Sequence, residues 1–263
     1  MKTIVTRAAL AGALLLSACD AQAQDALARR VAAAPDGEVR ISFASKPGVC
    51  GWEEGISTGR GTSEGRRTVV NGTGWRSEEC IEGPVRVALT KRGGRVTDVK
   101  TRVGHPFHDR GERVTDLGTV EPREASDYLL SLAERGTDAR GGKEAIFPAT
   151  LAQGATTWPA LLRIARRESI PSEVRNGAVF WLSQEASDAA TRGLQSIADD
   201  DGDQEVRKQA VFALSRRPND EAVPALIRIA RTHRDPELRR TALFWLGRSE
   251  DPRALALFEE ILR

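Results

Sequence analysis

Two hydrophobic periods divide the chain. From Asp36 to about Val120 apolar and polar residues alternate, as in half-buried strands. Glu38-Val39-Arg40-Ile41-Ser42-Phe43 is one such run. Thr68 to Trp75 sets Asn71-Gly72 between two short runs, which predicts a hairpin. Val85, Val87 and Leu89 form a further strand. Gly93-Gly94 turns the chain, and Val99, Thr101 and Val103 run back with their register open near Val96. The region 36–120 thus reads as a small β-rich module of about four to six strands with one or two hairpins. Within it the Gly- and charge-rich run Gly51 to Arg67 reads as a mobile loop. Residues 24–35 fit either a short amphipathic helix or a tether.

From Glu121 the period changes to that of a helix, with Pro122 suited to a first helical position. Leu129, Leu130, Leu132 and Ala133 follow on one face. The blocks Arg175 to Leu182, Arg207 to Leu214 and Arg239 to Leu246 then align at a spacing of 32, and Ala145-Ile146-Phe147 sits 33 before Ala178. A second series follows each block: Leu161, Leu194, Leu226 and Phe258, with Ile164, Ile197, Ile229 and Ile261. Residues 127–133 match 159–165 as a leading half-unit. A unit of this length is a helix pair that cannot bury its apolar faces alone, so stacked units share one continuous core. Val174, Ala178, Trp181 and Leu182 mark the expected inner face. Asp203 and Asp235-Pro236 supply helix caps, and Glu173, Glu205 and Glu237 favour the positive helix start.

The D-P-E-L-R-R-x-A-L-x-x-L-G run from Asp235 to Gly247, with its weaker copy from Asp203 to Ser215, resembles HEAT repeats over about residues 125–263. The whole chain is similar to exported bacterial HEAT-repeat proteins of uncharacterised role, through Pro47 to Gly51 and Glu144 to Arg166. The resemblance implies a right-handed α-solenoid of about four units that serves as a protein-interaction scaffold, with no catalytic residues to transfer. Lyases that attach bilin chromophores share similar repeats, but no residue here selects that activity. The fold class is therefore α+β multidomain: a β-rich module over 36–120, then a solenoid over 121–263.

The first residues read as a leader, not as structure. Lys2 and Arg7 precede an apolar run from Ala8 to Ala18 that is too short to span a bilayer. Two cleavage readings compete. Leu16-Ser17-Ala18-Cys19 resembles a bacterial lipobox, with Cys19 as the lipidated residue. Ala21-Gln22-Ala23 resembles an ordinary site that ends a signal peptide at residue 23. Either reading exports the chain to the periplasm or cell envelope, with membrane contact only through a lipid on Cys19. Cys50 and Cys80 then remain as a pair for a disulfide, closing a loop of about 30 residues.

Composition narrows the function. The 263 residues are 40% hydrophobic and 29% charged, with a net charge of +2; without Lys2 and Arg7 the balance is 37 basic against 37 acidic. That argues against a nucleic-acid partner, which selects a basic stripe. Three His and three Cys leave little material for a metal centre, and no cofactor is expected.

The chemical motifs each have a simpler reading. Gly61-Thr62-Ser63-Glu64-Gly65 has the form of a nucleophile elbow but lies in the loop, without the strand–turn–helix that chemistry needs. His105, His108 and Asp109 cluster beside Pro106, where a surface turn is expected rather than a metal site. Asp199 to Asp203 lacks a ligand at the first position of a calcium loop, which falls on Ile197, so it reads as an inter-repeat turn. Phe147, Phe180, Phe212 and Phe244 form a ladder, read as packing between first helices or as an aromatic groove for a partner. Arg163, Arg166, Arg228 and Arg231 recur on second helices, with Ser196 and Asp199 interrupting; they are the candidate partner-binding residues, suited to an acidic segment.

The expectation is a non-catalytic scaffold of the bacterial cell envelope that binds a partner protein or peptide through its solenoid. The alternative is an enzyme or small-ligand module in the β region, using His105, His108, Asp109 or the Gly51 to Arg67 loop. A deep cleft lined by those residues separates the two. The lipobox reading predicts that Cys19→Ala moves the protein out of the membrane fraction; unchanged fractionation would contradict it.

Overall fold

The computed structural model describes residues 26–52, 55–58, 66–71, 74–108, 113–135, 139–185 and 188–262. The leader, the Gly61 to Gly65 motif and Asp109 lie outside the described residues. The described chain forms two compact units. One takes the residues up to Ser131 together with Pro148–Ala155; the other takes Leu132–Phe147 and everything from Thr156 onward.

The first unit is β-rich, as its alternation predicts. Its main sheet has four strands in the order β8-β7-β1-β9: β1 Gly37–Phe43, β7 Val85–Arg92, β8 Arg95–Val103 and β9 Val114–Thr119. β7 pairs antiparallel with both β1 and β8, and β9 runs parallel to β1. Val39, Ile41 and Phe43 on β1 and Val85, Val87 and Leu89 on β7 are buried, so the predicted face is the core face. The register left open near Val96 is a real irregularity. Thr90 pairs with Asp98 while Lys91 pairs with Val96, which leaves Thr97 as the extra residue of a bulge.

The run from Gly51 to Arg67 is not simply a loop. β2 Cys50–Trp52 and β3 Gly55–Ser57 pair with each other, and β2 also pairs with β6 Ile81–Glu82. β4 Arg66–Asn71 and β5 Gly74–Glu79 make the predicted hairpin around residues 72–73. These strands are short and Gly-rich, so alternation could not reveal β2 and β3. Gly51 is needed for a close approach: a Cβ there would lie 2.3 Å from the Val103 carbonyl oxygen. The Cys50–Cys80 disulfide ties β2 to the residue just before β6, with Cα atoms 5.4 Å apart.

Residues 26–33 are a helix, α1, and both its ends are held by distant charged groups. The Lys91 ammonium is buried and donates to the carbonyls of Val31, Ala32 and Ala34 at 3.1, 2.6 and 2.5 Å. A cation there meets the unpaired carbonyls and the negative end of the helix dipole together. At the other end the Leu27 N–H donates to the Glu124 carboxylate at 2.9 Å. Asp36 accepts from the N–H groups of Gly93 and Gly94, which fixes the following turn against the β7–β8 hairpin. Those two backbone donors, Gly94 foremost, hold its carboxyl below the usual range. Within 24–35, residues 26–33 are thus helical.

Among the described residues, the elements of the second unit are all helices. α2 Pro122–Arg135 begins in the first unit and contributes its last turn here, α3 Ala139–Thr150 belongs here up to Phe147, and α4 Trp158–Arg166 follows. Three pairs follow: α5 Ser172–Ser183 with α6 Asp188–Asp200, α7 Gln204–Ser215 with α8 Asn219–Thr232, and α9 Pro236–Leu246 with α10 Pro252–Ile261. First helices α5, α7 and α9 neighbour one another in turn, as do second helices α4 and α6, and α8 and α10. Leu161, Leu194 and Leu226 are buried, and so are Ile164, Ile197 and Ile229, which places these members of the two predicted series in the shared core; of the last pair, Phe258 is half-buried and Ile261 exposed. No helix among the described residues is long and apolar enough to cross a membrane.

Replacing Cys50 by Ser removes the cross-link on a loop of 30 residues, which stabilises by about 3–4 kcal/mol in the chain-entropy model. The expected result is a melting temperature lower by several degrees than that of the oxidised wild type. An unchanged melt would contradict it.

Candidate functional site

The repeats present two different surfaces around one polar seam, buried at Arg175 and Asp201 and half-buried at Arg207, Asp235 and Arg239. The seam begins with the arginine that opens each aligned sequence block. Arg175 is buried, donates to the Ala165 carbonyl at 2.8 Å and forms an ion pair with the equally buried Asp201. One repeat later Arg207 donates to the Asp201 carbonyl at 2.6 Å and to the Asp235 carboxylate at 3.1 Å. Arg239 reaches the His233 carbonyl at 2.7 Å. Each guanidinium thus closes the turn that precedes its own helix, and Arg175 and Arg207 also grip the next repeat.

The aspartates do double work. Asp203 accepts from the N–H groups of Glu205 and Val206, and Asp235 from that of Glu237, so both cap helices as predicted. Asp251 caps α10 in the same way. The Glu237 N–H, and then Arg207, lower the Asp235 pKa. Arg253 brings that of Asp251 down to about 2. The acidic run at 199–203 is therefore structural: Asp199 pairs with Arg228, Asp201 with Arg175, and Asp203 caps α7.

A second buried arginine, Arg217, gathers the turn between α7 and α8. It donates to Thr191 Oγ1 at 2.8 Å, to the Glu221 carboxylate at 3.1 Å, and to the carbonyls of Ser183 and Glu185. The Thr191 hydroxyl, helped by Arg217, keeps the Glu221 carboxyl below its usual range. A network satisfied this fully fixes one packing of neighbouring repeats.

On the second helices the four candidate arginines lie in the predicted row, and three of them are spent between repeats. Arg163 pairs with Glu134 at 2.9 Å, Arg228 makes two bonds to Asp199 at 3.0 and 3.1 Å, and Arg231 pairs with Glu260. Each rung joins residues 29 apart, from one second helix to the next. Arg166 is exposed, and the residue at its rung position on α6 is Ser196, which carries no charge.

The first helices carry an aromatic ladder. Phe147 stacks on Trp181 with centroids 4.9 Å apart, and Phe180 meets the same indole edge-on at 5.1 Å. Phe212 and Phe244 both contact Trp245, at 5.1 and 5.0 Å. Trp181 is thus half-buried at the flank, and Val179 joins Val174, Ala178 and Leu182 in the core instead. Packing explains Phe147 and Phe212, but Phe180 is 39% and Phe244 58% exposed. The aromatic rings therefore both pack and face outward.

The β-rich unit offers a shallow depression of about 450 Å³ lined by Phe43, Ser45, Lys46, Val49, Glu82 and Gln153, among others. Neither His105 nor His108 lines it. His108 is exposed and His105 half-buried on the turn after β8. Among the described residues no group of three or more His, Cys, Asp or Glu is placed to hold a metal ion.

Buried helix pairs in register, joined by repeated arginines, define an α-solenoid of HEAT-like repeats. Residues 191–263 match the family model for HEAT repeats, and this part of the chain is a HEAT-repeat domain. HEAT repeats generally act as protein-interaction scaffolds and the family is generally non-catalytic. No curated protein matches the chain.

The buried seam was the main feature that the choice of candidate residues missed. Its signal was present in the sequence, since Arg175, Arg207 and Arg239 head each aligned block. Arg175→Met leaves Asp201 buried without its partner and should destabilise the protein by about 3–5 kcal/mol. Chemical denaturation measures this; a loss below about 1 kcal/mol, the size of an exposed pair, would contradict the role.

Proposed function

We propose that the protein is a non-catalytic binding protein of the bacterial cell envelope. Its HEAT repeats bind a partner protein or peptide, and the first-helix aromatic face makes the contact. The observation that carries this reading is the exposure of Phe180 and Phe244 on rings already fixed by Trp181 and Trp245. Rigid aromatic groups lose little conformational entropy on binding, which makes them efficient anchors. The ion-paired row of the second helices is a weaker candidate, because Arg163, Arg228 and Arg231 already hold carboxylates of this chain. The leader residues and the Cys50–Cys80 bridge support export. For the alternative, an enzyme in the β region, His105 and His108 do not line the depression, while Asp109 and much of the Gly51 to Arg67 loop lie outside the described residues.

Photo-cross-linking in cells separates the two faces. A photoreactive residue replaces Phe180, Phe244 or, on the second helices, Arg166. The expected result is a discrete protein adduct from positions 180 and 244 and none from 166. Adducts from 166 alone would move the contact to the second helices, and no adduct from any position would contradict the binding role.

A further inference from the structure

The aromatic ladder has a charge setting that points to one class of partner. On a helix, residues four apart lie one turn above and below each other on the same face. One turn before the phenylalanines stand Lys143, Asn176, Lys208 and Arg240. One turn after Phe180, Phe212 and Phe244 stand Gln184, Arg216 and Arg248. Neither flanking row holds a carboxylate on any of these helices. Arg248 packs its guanidinium over the Phe244 ring at 5.8 Å, so the cation and the ring form one surface. Lys143 and Arg216 are exposed. Lys208 and Arg240 pair with Glu205 and Glu237 three residues earlier on the same helix, exposed contacts that, unlike the rungs of Arg163, Arg228 and Arg231, join no two helices.

The ladder is also interrupted in its middle. Trp181 and Trp245 link the phenylalanines of neighbouring repeats, Phe147 to Phe180 and Phe212 to Phe244. At the corresponding position of α7 the residue is Ala213. Among the described residues, no ring contact joins Phe180 to Phe212. The ladder is thus two aromatic triads, and Phe180 ends the first with its ring 39% exposed, while Ala213 is buried.

We infer that this face binds an acidic polypeptide segment that carries an aromatic or leucine anchor. The anchor packs against the exposed Phe180 ring, and flanking carboxylates meet the two basic rows. The inference rests on the proposed function of the same face. Nucleic acid is a poorer fit. Residues 143–263 balance 18 basic against 18 acidic residues, without the extended basic stripe that a phosphate backbone selects.

Selection of a phage-displayed random peptide library on the full chain tests this, with a single-stranded DNA oligonucleotide as a second probe. The expected peptides are acidic around Phe, Trp or Leu. A synthetic representative should bind at least about tenfold more weakly to Phe180→Ala and to Arg216→Glu. Its affinity should also fall as salt rises. Both variants alter exposed groups, and equal melting temperatures check that each is folded.

Neutral or basic peptides that still depend on Phe180 would overturn the acidic class and leave the binding face in place. Peptides indifferent to Phe180→Ala would overturn both. No enrichment, or tighter binding of the oligonucleotide than of any acidic peptide, would overturn the inference.

Discussion

The second unit depends on a guanidinium that must find partners in the dark between repeats. A helix pair of about 32 residues has two apolar faces and no core of its own. Stacking buries those faces, but it also buries the turns, whose carbonyls and carboxylates would be costly without donors. Arg175 and Arg207 supply them, and in doing so set the register of one repeat on the next. The apolar series of Leu161, Leu194 and Leu226 drives association, while the arginines decide which association it is.

The β-rich unit solves a similar problem by other means. Its helix α1 is too short to persist alone, and it is held by Lys91 at one end and Glu124 at the other. Both groups are far away in sequence. That is why residues 24–35 were ambiguous as a local pattern, and why β2 and β3, stabilised by pairing and a disulfide, were invisible to periodicity. The strands with clear alternation, β1 and β7, lay where the pattern placed them, and the open register near Val96 marked a true bulge. Local patterns revealed what local forces hold.

The same logic separates the surfaces of the repeats. The arginine row and the phenylalanine ladder recur equally clearly in the sequence. Ranking needs partners. Glu134, Asp199 and Glu260 occupy three of the four arginines, whereas two of the four phenylalanines keep large exposed faces. A row that closes on itself stiffens the stack; a row that remains open is available for contact. Ile261 shows the same rule at the last helix: its counterparts Ile164, Ile197 and Ile229 are buried, while it is 56% exposed.

If neighbour contacts and the arginine seam hold the repeats, protection must vary along the stack. Native-state hydrogen exchange on wild type and Arg207→Met measures this helix by helix. The account predicts graded protection that weakens toward α10, and a loss in the variant centred on α6 to α9 that spares α4. A single opening free energy shared by all these helices, lowered equally by the substitution, would contradict it.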